Sequence, residues 1–286
     1  LPKLKGGKMK DQIVENYVGR NLSETGAISA QRCSEIFATF GWQGETTVGS
    51  VLPQLCHWCA FSPVVSTDEL GEDGHPGKGA FLPDLGLERR MWASGRLEFL
   101  QDLHVGEVLT RSATIEKVDI KEGTSGKMAF VTVAHEVSGQ NGLAIRESQS
   151  IVYLAMPKSF EPPAKRPMPQ DKVFDHRYAM PTTRLFRFSA ITFNAHRIHF
   201  DLPYAQEVEK YPGLVVHGPM QAMLLAKAST DHAQKALTQF SFRGVHPCFH
   251  FDDLALCAEA TADGDGLNLF AGVPGGHQTM QAKANW

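Results

Sequence analysis

Between residues 29 and 41 the apolar side chains recur at helical spacing. Cys33, Ile36, Phe37 and Phe40 fall on one face, Ser29 stands where an N-cap would accept amide protons, and Gly41 supplies a stop. A loop rich in Gly and Pro follows, from Gly71 to Gly86. Then the period changes. The runs Arg96–Phe99, Ser112–Ile120, Met128–Val137 and Ser148–Leu154 are rich in Val, Ile, Phe and Thr. Turn pairs such as Glu122-Gly123 and Asn141-Gly142 separate them, so strands are predicted. The rest of the chain repeats the order. Thr183 is expected to cap a helical stretch that includes Phe186, Phe188 and Ile191. Another helix is expected from Pro219, turning Met220, Met223 and Leu224 inward. Strands are predicted over Gln239–Val245, Asp253–Thr261, Leu267–Val273 and Thr279–Ala284.

Helices first and antiparallel strands afterwards, twice over, is an α+β layout. Between the repeats, Pro157, Pro162, Pro163, Pro167 and Pro169 crowd one stretch. Proline fixes φ and lacks a donor, so 157–171 reads as a linker, neither helix nor central strand. The expected division is 9–156, the linker, and 172–286. Residues 1–8 read as an expression remnant before a natural start at Met9. A small echo supports duplication: Gly95-Arg96-Leu97-Glu98-Phe99-Leu100 and Phe240-Ser241-Phe242-Arg243 each set an arginine in a strand.

Composition narrows the function. The 286 residues are 42% apolar and 21% charged, enough for an ordinary core. A net charge of -3 gives no footprint for nucleic acid. No window reaches the roughly 18 apolar residues of a membrane span. Nothing after Met9 resembles a signal peptide, and five cysteines suit reduced thiols, so a cytoplasmic setting is expected. Cys56-x-x-Cys59 has no second such pair and reads as buried thiols.

The richest stretch is Phe188-Ser-Ala-Ile-Thr-Phe-Asn-Ala-His-Arg-Ile-His199-Phe-Asp201, followed by His217-Gly218-Pro219. It resembles the hydratase motif of MaoC-like (R)-specific enoyl-CoA hydratases. Asn194 falls on the family's catalytic Asp, His196 on its Asn, Arg197 on its Pro, and His199 on its catalytic His. Gly218 falls on the Gly whose N–H forms the oxyanion hole. In the first half, Gly71-Glu72-Asp73-Gly74-His75-Pro76 and Glu88–Phe99 look like the partner domain's loop and strand. The reading Phe-Asn-x-His-Arg-Ile-His is most similar to the branch of mesaconyl-C4-CoA and itaconyl-CoA hydratases. The resemblance implies a tandem, or double, hot-dog fold, each half an antiparallel sheet wrapped around a central helix. It implies a catalytic second half and a non-catalytic first half lining a substrate tunnel. It also implies a coenzyme A thioester substrate, no cofactor and no metal.

The chemistry is consistent with this. Hydrating an α,β-unsaturated thioester needs a base for water, a proton for Cα, and fixed donors for the enolate oxygen. His199 is the expected base and then acid. Gly218 sets a bare N–H at a helix start, where the dipole favours negative charge. Asn194 cannot titrate, so it is expected to hold the water. Arg197, where the family has Pro, offers a fork for a carboxylate, with Arg89 and Arg90 as further candidates and His196 and His217 as nearby contacts. Each has a plainer alternative: a turn for Asn194, a helix start for Gly218, a salt bridge for the arginines, a structural His217. Competing functions are a 3-hydroxyacyl-thioester dehydratase, a thioesterase and a non-catalytic acyl-CoA binder. The run Pro219–Thr230 carries no acid for a thioesterase. Pairing into a homo-oligomer stays open.

Overall fold

The two echoing segments lie side by side. In a computed structural model describing residues 15–123, 126–262 and 264–286, β2 (Arg89–Phe99) pairs antiparallel with β7 (Gln239–Gly244). Gly95 faces Phe242 and Leu97 faces Phe240 across this seam. A Cβ on Gly95 would come within 2.6 Å of the Phe242 ring, so the seam requires glycine there.

On one side of the seam run β1 (Asn21–Ala27), β3 (Val108–Gly123), β4 (Gly126–Gly139) and β5 (Gly142–Leu154). On the other run β6 (Phe174–Tyr178), β8 (Leu254–Ala260), β9 (Gly266–Gly272) and β10 (Gln278–Asn285). The order across the single sheet is β1-β3-β4-β5-β2-β7-β10-β9-β8-β6. Read outward from the seam, each half has the same strand order. The sheet is therefore a duplication joined edge to edge, the tandem hot-dog layout expected, and joining two edges leaves fewer strands unpaired.

Helix α1 (Ala30–Phe40) forms as its pattern predicts. Ser29 accepts the Arg32 N–H, Gly41 closes the end at φ 76°, and Cys33, Ile36, Phe37 and Phe40 are buried. Helix α2 (Thr182–Ile191) occupies the corresponding place in the second half. The two pack together: the Phe40 and Phe188 rings are 5.9 Å apart, and Arg184 Nε donates to the Thr39 carbonyl at 3.2 Å. Thr183 does not cap α2. Pro181 is the N-cap, already extended, which puts Thr183 inside the first turn.

Helix α3 (Gly218–Ala233) is buried on nearly every side, from Met220 through Ala226 without interruption. A helix apolar all round sits in the middle of a domain, and α3 packs on β7 through β10. The first half has no helix of this length in the corresponding stretch. Two 3-10 turns, Cys56–Cys59 and Thr67–Glu69, lie there instead, so among the described residues only the second half wraps a long central helix. Cys56 and Cys59 are buried, and burial pushes the Cys59 thiol up to about 12.

Strands β1 and β6 were not expected. Strand β2 begins seven residues earlier than the apolar run at Arg96, because an irregularity between Trp92 and Ser94 breaks the alternation. The segment 157–171 forms no helix or strand; it adds an isolated bridge, Pro167 to His277, and packs Phe160 against Tyr211 and Phe249. The expected remnant and start, residues 1–9, lie outside the described residues. No helix among the described residues is long and apolar enough to cross a membrane.

Candidate active site

Helix α2 ends in a left-handed residue. Phe193 has φ 49°, a conformation that costs a bulky side chain about 1 kcal/mol or more, and its ring is 57% exposed. Asn194 follows in a turn, its Oδ1 accepting the His196 N–H at 2.9 Å. That bond takes one lone pair of the amide oxygen and leaves Nδ2 to donate to a ligand. A short 3-10 turn, Arg197–His199, then delivers His199 into the interior.

His199 Nδ1 lies 2.7 Å from the Val215 carbonyl oxygen. A carbonyl only accepts, so Nδ1 carries the proton and Nε2 keeps its lone pair. The His217 ring stacks on His199, 3.6 Å between centroids and 19° from parallel. His217 Nε2 pairs with Ser189 Oγ at 2.9 Å. Burial pushes His217 down to about 3 and His199 well below its ordinary value, so both rings are neutral near pH 7. His217 is 1% exposed. It backs the His199 ring from within the core.

His217 is also the N-cap of α3, and Gly218 is the first helical residue. The opening amides of a helix have no partner within it. A Cβ on Gly218 would meet nothing closer than Met280 Cε at 4.0 Å, so packing does not demand glycine there. The missing side chain leaves room beside the helix terminus, as an oxyanion donor needs.

The first half reaches this cluster by a loop. Gly74 has φ +84°, and a Cβ there would collide with the Ala195 carbonyl oxygen. Glycine is required twice over, and its close approach sets the His75 ring 4.1 Å from that of His196. Asp73 holds His75 from two sides: Oδ2 lies 3.0 Å from Nδ1, and Oδ1 accepts the backbone N–H at 3.0 Å. His75, His196, His199 and His217 thus form one chain of imidazoles. His196 meets His199 edge-on at 5.3 Å.

Two arginines expected to meet substrate are engaged elsewhere. Arg89 is partly buried, its Nε donating to Glu209 at 2.9 Å and its Nη2 to the Tyr211 hydroxyl. The other Glu209 oxygen lies 3.3 Å from His196 Nε2, so Arg89 acts on His196 through Glu209. Arg197 donates from Nε and Nη2 to Asp201 at 2.9 and 2.8 Å, and from Nη1 to the Glu72 carbonyl at 3.1 Å. It also lies over the Tyr204 ring at 4.2 Å. These bonds already engage the fork and tie the two halves together through Asp201 and Glu72. Arg90 donates to the Pro76 carbonyl at 2.8 Å and has no carboxylate within ion-pair distance among the described residues.

The motif reading brought His196, His199 and Gly218 to one place. It missed Asp73, His75, Ser189 and Glu209. Asp73 and His75 stood in a loop noted only for its likeness to a partner domain, and Glu209 carried no signal in its neighbours.

Residues 54–250 match the model of the family described as hydroxyacyl-thioester dehydratase type 2. The chain is 41% identical over 242 residues to mesaconyl-C(4)-CoA hydratase of Chloroflexus aurantiacus, covering 84% of this chain and 85% of that one. A MaoC-like dehydratase from Phytophthora capsici superposes with a TM-score of 0.69 at 13% identity, over 97% of this chain and 98% of the other. A conserved protein of Mycobacterium tuberculosis with a double hotdog fold superposes at 0.54 and 13% identity, over 93% and 95%. The two structures establish the fold, the sequence matches establish the lineage, and the chain belongs to the hydroxyacyl-thioester dehydratase type 2 family.

Proposed function

We propose that this protein is a hydro-lyase of coenzyme A thioesters. It adds water to a branched C5 dicarboxylic acyl-CoA, mesaconyl-C4-CoA or itaconyl-CoA, to give citramalyl-CoA, or runs the reverse. The observation that carries this reading is the 41% identity to a mesaconyl-C(4)-CoA hydratase along almost the whole of both chains. The site supports it. His199 offers a lone pair at Nε2 for the attacking water. Asn194 Nδ2 can donate to the same water, and the Gly218 amide opens a helix, where an N–H without a partner in the helix can meet a thioester oxygen that gains charge. Arg90 keeps a charge with no carboxylate against it and is the proposed partner of the acyl carboxylate.

A 3-hydroxyacyl-thioester dehydratase is the second reading, favoured by the family model. Incubation of the pure protein with itaconyl-CoA, mesaconyl-C4-CoA, citramalyl-CoA and crotonyl-CoA, followed by mass spectrometry, separates the two. Gain or loss of one water on the C5 thioesters alone is expected. Equal or better conversion of crotonyl-CoA moves the assignment to the dehydratase. Release of free coenzyme A, or no change in any sample, removes the hydro-lyase reading.

A further inference from the structure

A single histidine that handles both proton transfers would become a cation between them. His199 is poorly placed for that. It is 7% exposed and its ring neighbours are His217 and His196. Its one polar partner is a neutral carbonyl. No carboxylate contacts it among the described residues, and a buried charge without a counter-charge is costly.

His75 is placed differently. The carboxylate of Asp73 lies 3.0 Å from its Nδ1 and accepts only, so Nδ1 bears the proton and Nε2 presents a lone pair. A proton gained at Nε2 would form an ion pair with Asp73 at once. The side chain keeps 25% of its surface, the most of the four imidazoles, against 7% for His196. The groups facing His75 are Asp73 on its own loop, His196 from the motif, and the charge of Arg90 from β2. Desolvation holds His75 down to about 4, so it enters the reaction neutral, as a base must. The same Asp73 carboxylate is kept ionised by its bonds to His75.

We propose that His75, oriented by Asp73, is the second acid–base group of the reaction, and that the first half of the chain is therefore part of the catalytic machinery. The proposal rests on the hydro-lyase reading. In hydration, an electron pair of the water oxygen forms the bond to Cβ and the alkene pair moves onto the thioester as an enolate at the Gly218 amide. One O–H proton of the water passes to His75 Nε2, while the other is held as a hydrogen bond by His199 Nε2. The enolate then takes the proton from His75 at Cα, which returns His75 to its neutral form and leaves one H and one OH added. Asn194 stands where the family has a titrating Asp, and the Asp73–His75 pair supplies the carboxylate-backed base that an amide cannot.

The test compares His75→Ala, His75→Gln and Asp73→Asn with the unaltered protein, on whichever thioester the latter hydrates, with circular dichroism and melting as a check on folding. His75→Gln is expected to lower kcat by about 100-fold with KM within a few-fold. Asp73→Asn is expected to lower kcat by about 10-fold or more and to shift the acid limb of the pH profile. Added imidazole is expected to restore part of the turnover of His75→Ala, which a merely structural role would not allow. A folded His75→Gln within about threefold of the unaltered kcat overturns the proposal and leaves the hydro-lyase reading intact. Should the unaltered protein hydrate none of the thioesters, the hydro-lyase reading fails and the proposal falls with it. Asp73, His75 and His196 also bring three ligand atoms within 4.8 Å of one another. Activity lost to a chelator and regained with zinc would make them metal ligands and overturn the acid–base assignment.

Discussion

The two halves of the sheet share a strand order and differ in what they enclose. The second half wraps α3, buried from Met220 to Ala226, with Gly218 at its N-terminus. The first half encloses a 3-10 turn, and the space beside it is polar: Glu147 on β5 accepts from Trp58 Nε1 at 3.0 Å and Gln149 Nε2 at 2.7 Å, and faces His57 Nε2 at 3.3 Å. Both halves therefore bury histidines, for different ends. His57 faces a carboxylate in a closed network, where burial of the acid is compensated by its partners. His199 has no carboxylate and keeps an open lone pair. A buried histidine is thus not by itself evidence of a reactive one; what its two nitrogens touch decides.

The Arg89–Glu209 pair between the halves gives the largest expected effect. Arg89→Met leaves Glu209 buried without its cation, which should cost about 3–5 kcal/mol of stability in denaturant unfolding and loosen His196. An unmoved midpoint would mean that the halves are not coupled through this pair. Next, His199→Ala should lower turnover about 100-fold with the fold intact. His57→Ala should do the reverse, costing about 1–3 kcal/mol because the buried Glu147 loses one of its three partners, and leaving turnover per folded molecule nearly normal. Comparable losses of turnover in both would erase the contrast between the halves.

Acid should act on the imidazole chain as a unit. His75 and His217 are held at about 4 and about 3, below the free value of roughly 6.5. Between those values the unfolded chain binds protons that the folded one refuses. The stability this confers is complete above about pH 6.5 and is lost as pH falls toward 4 and below. The melting temperature should decline across that window, and a flat profile would show that the rings are not neutral when folded. The smallest effect concerns the arginines. Arg197→Leu should slow C5 and crotonyl substrates alike, by a few-fold, whereas Arg90→Leu should favour crotonyl-CoA. The opposite pattern would return the carboxylate to Arg197.

Helices α1 and α3, eight of the ten strands and the motif at 194–199 could be read from the chain, because each rests on local rules: a 3.6-residue stripe, alternation bounded by turns, a cap and a stop. Edge strands β1 and β6 could not. Asn21–Ala27 and Phe174–Tyr178 are mostly exposed, so backbone pairing holds them and side-chain pattern does not. Arg197 and Arg89 looked like free forks because sequence does not say which carboxylate lies nearby; Asp201 and Glu209 answer that only after folding. His75 is separated from His196 by more than a hundred residues, and the contact exists because Gly74 lets one loop lie against Ala195. Local spacing fixed the elements and named the reactive motif. Which histidine has a carboxylate, which arginine is already paired, and that both halves meet at one site were settled by long-range packing, which joins residues whose neighbours in sequence carry no trace of it.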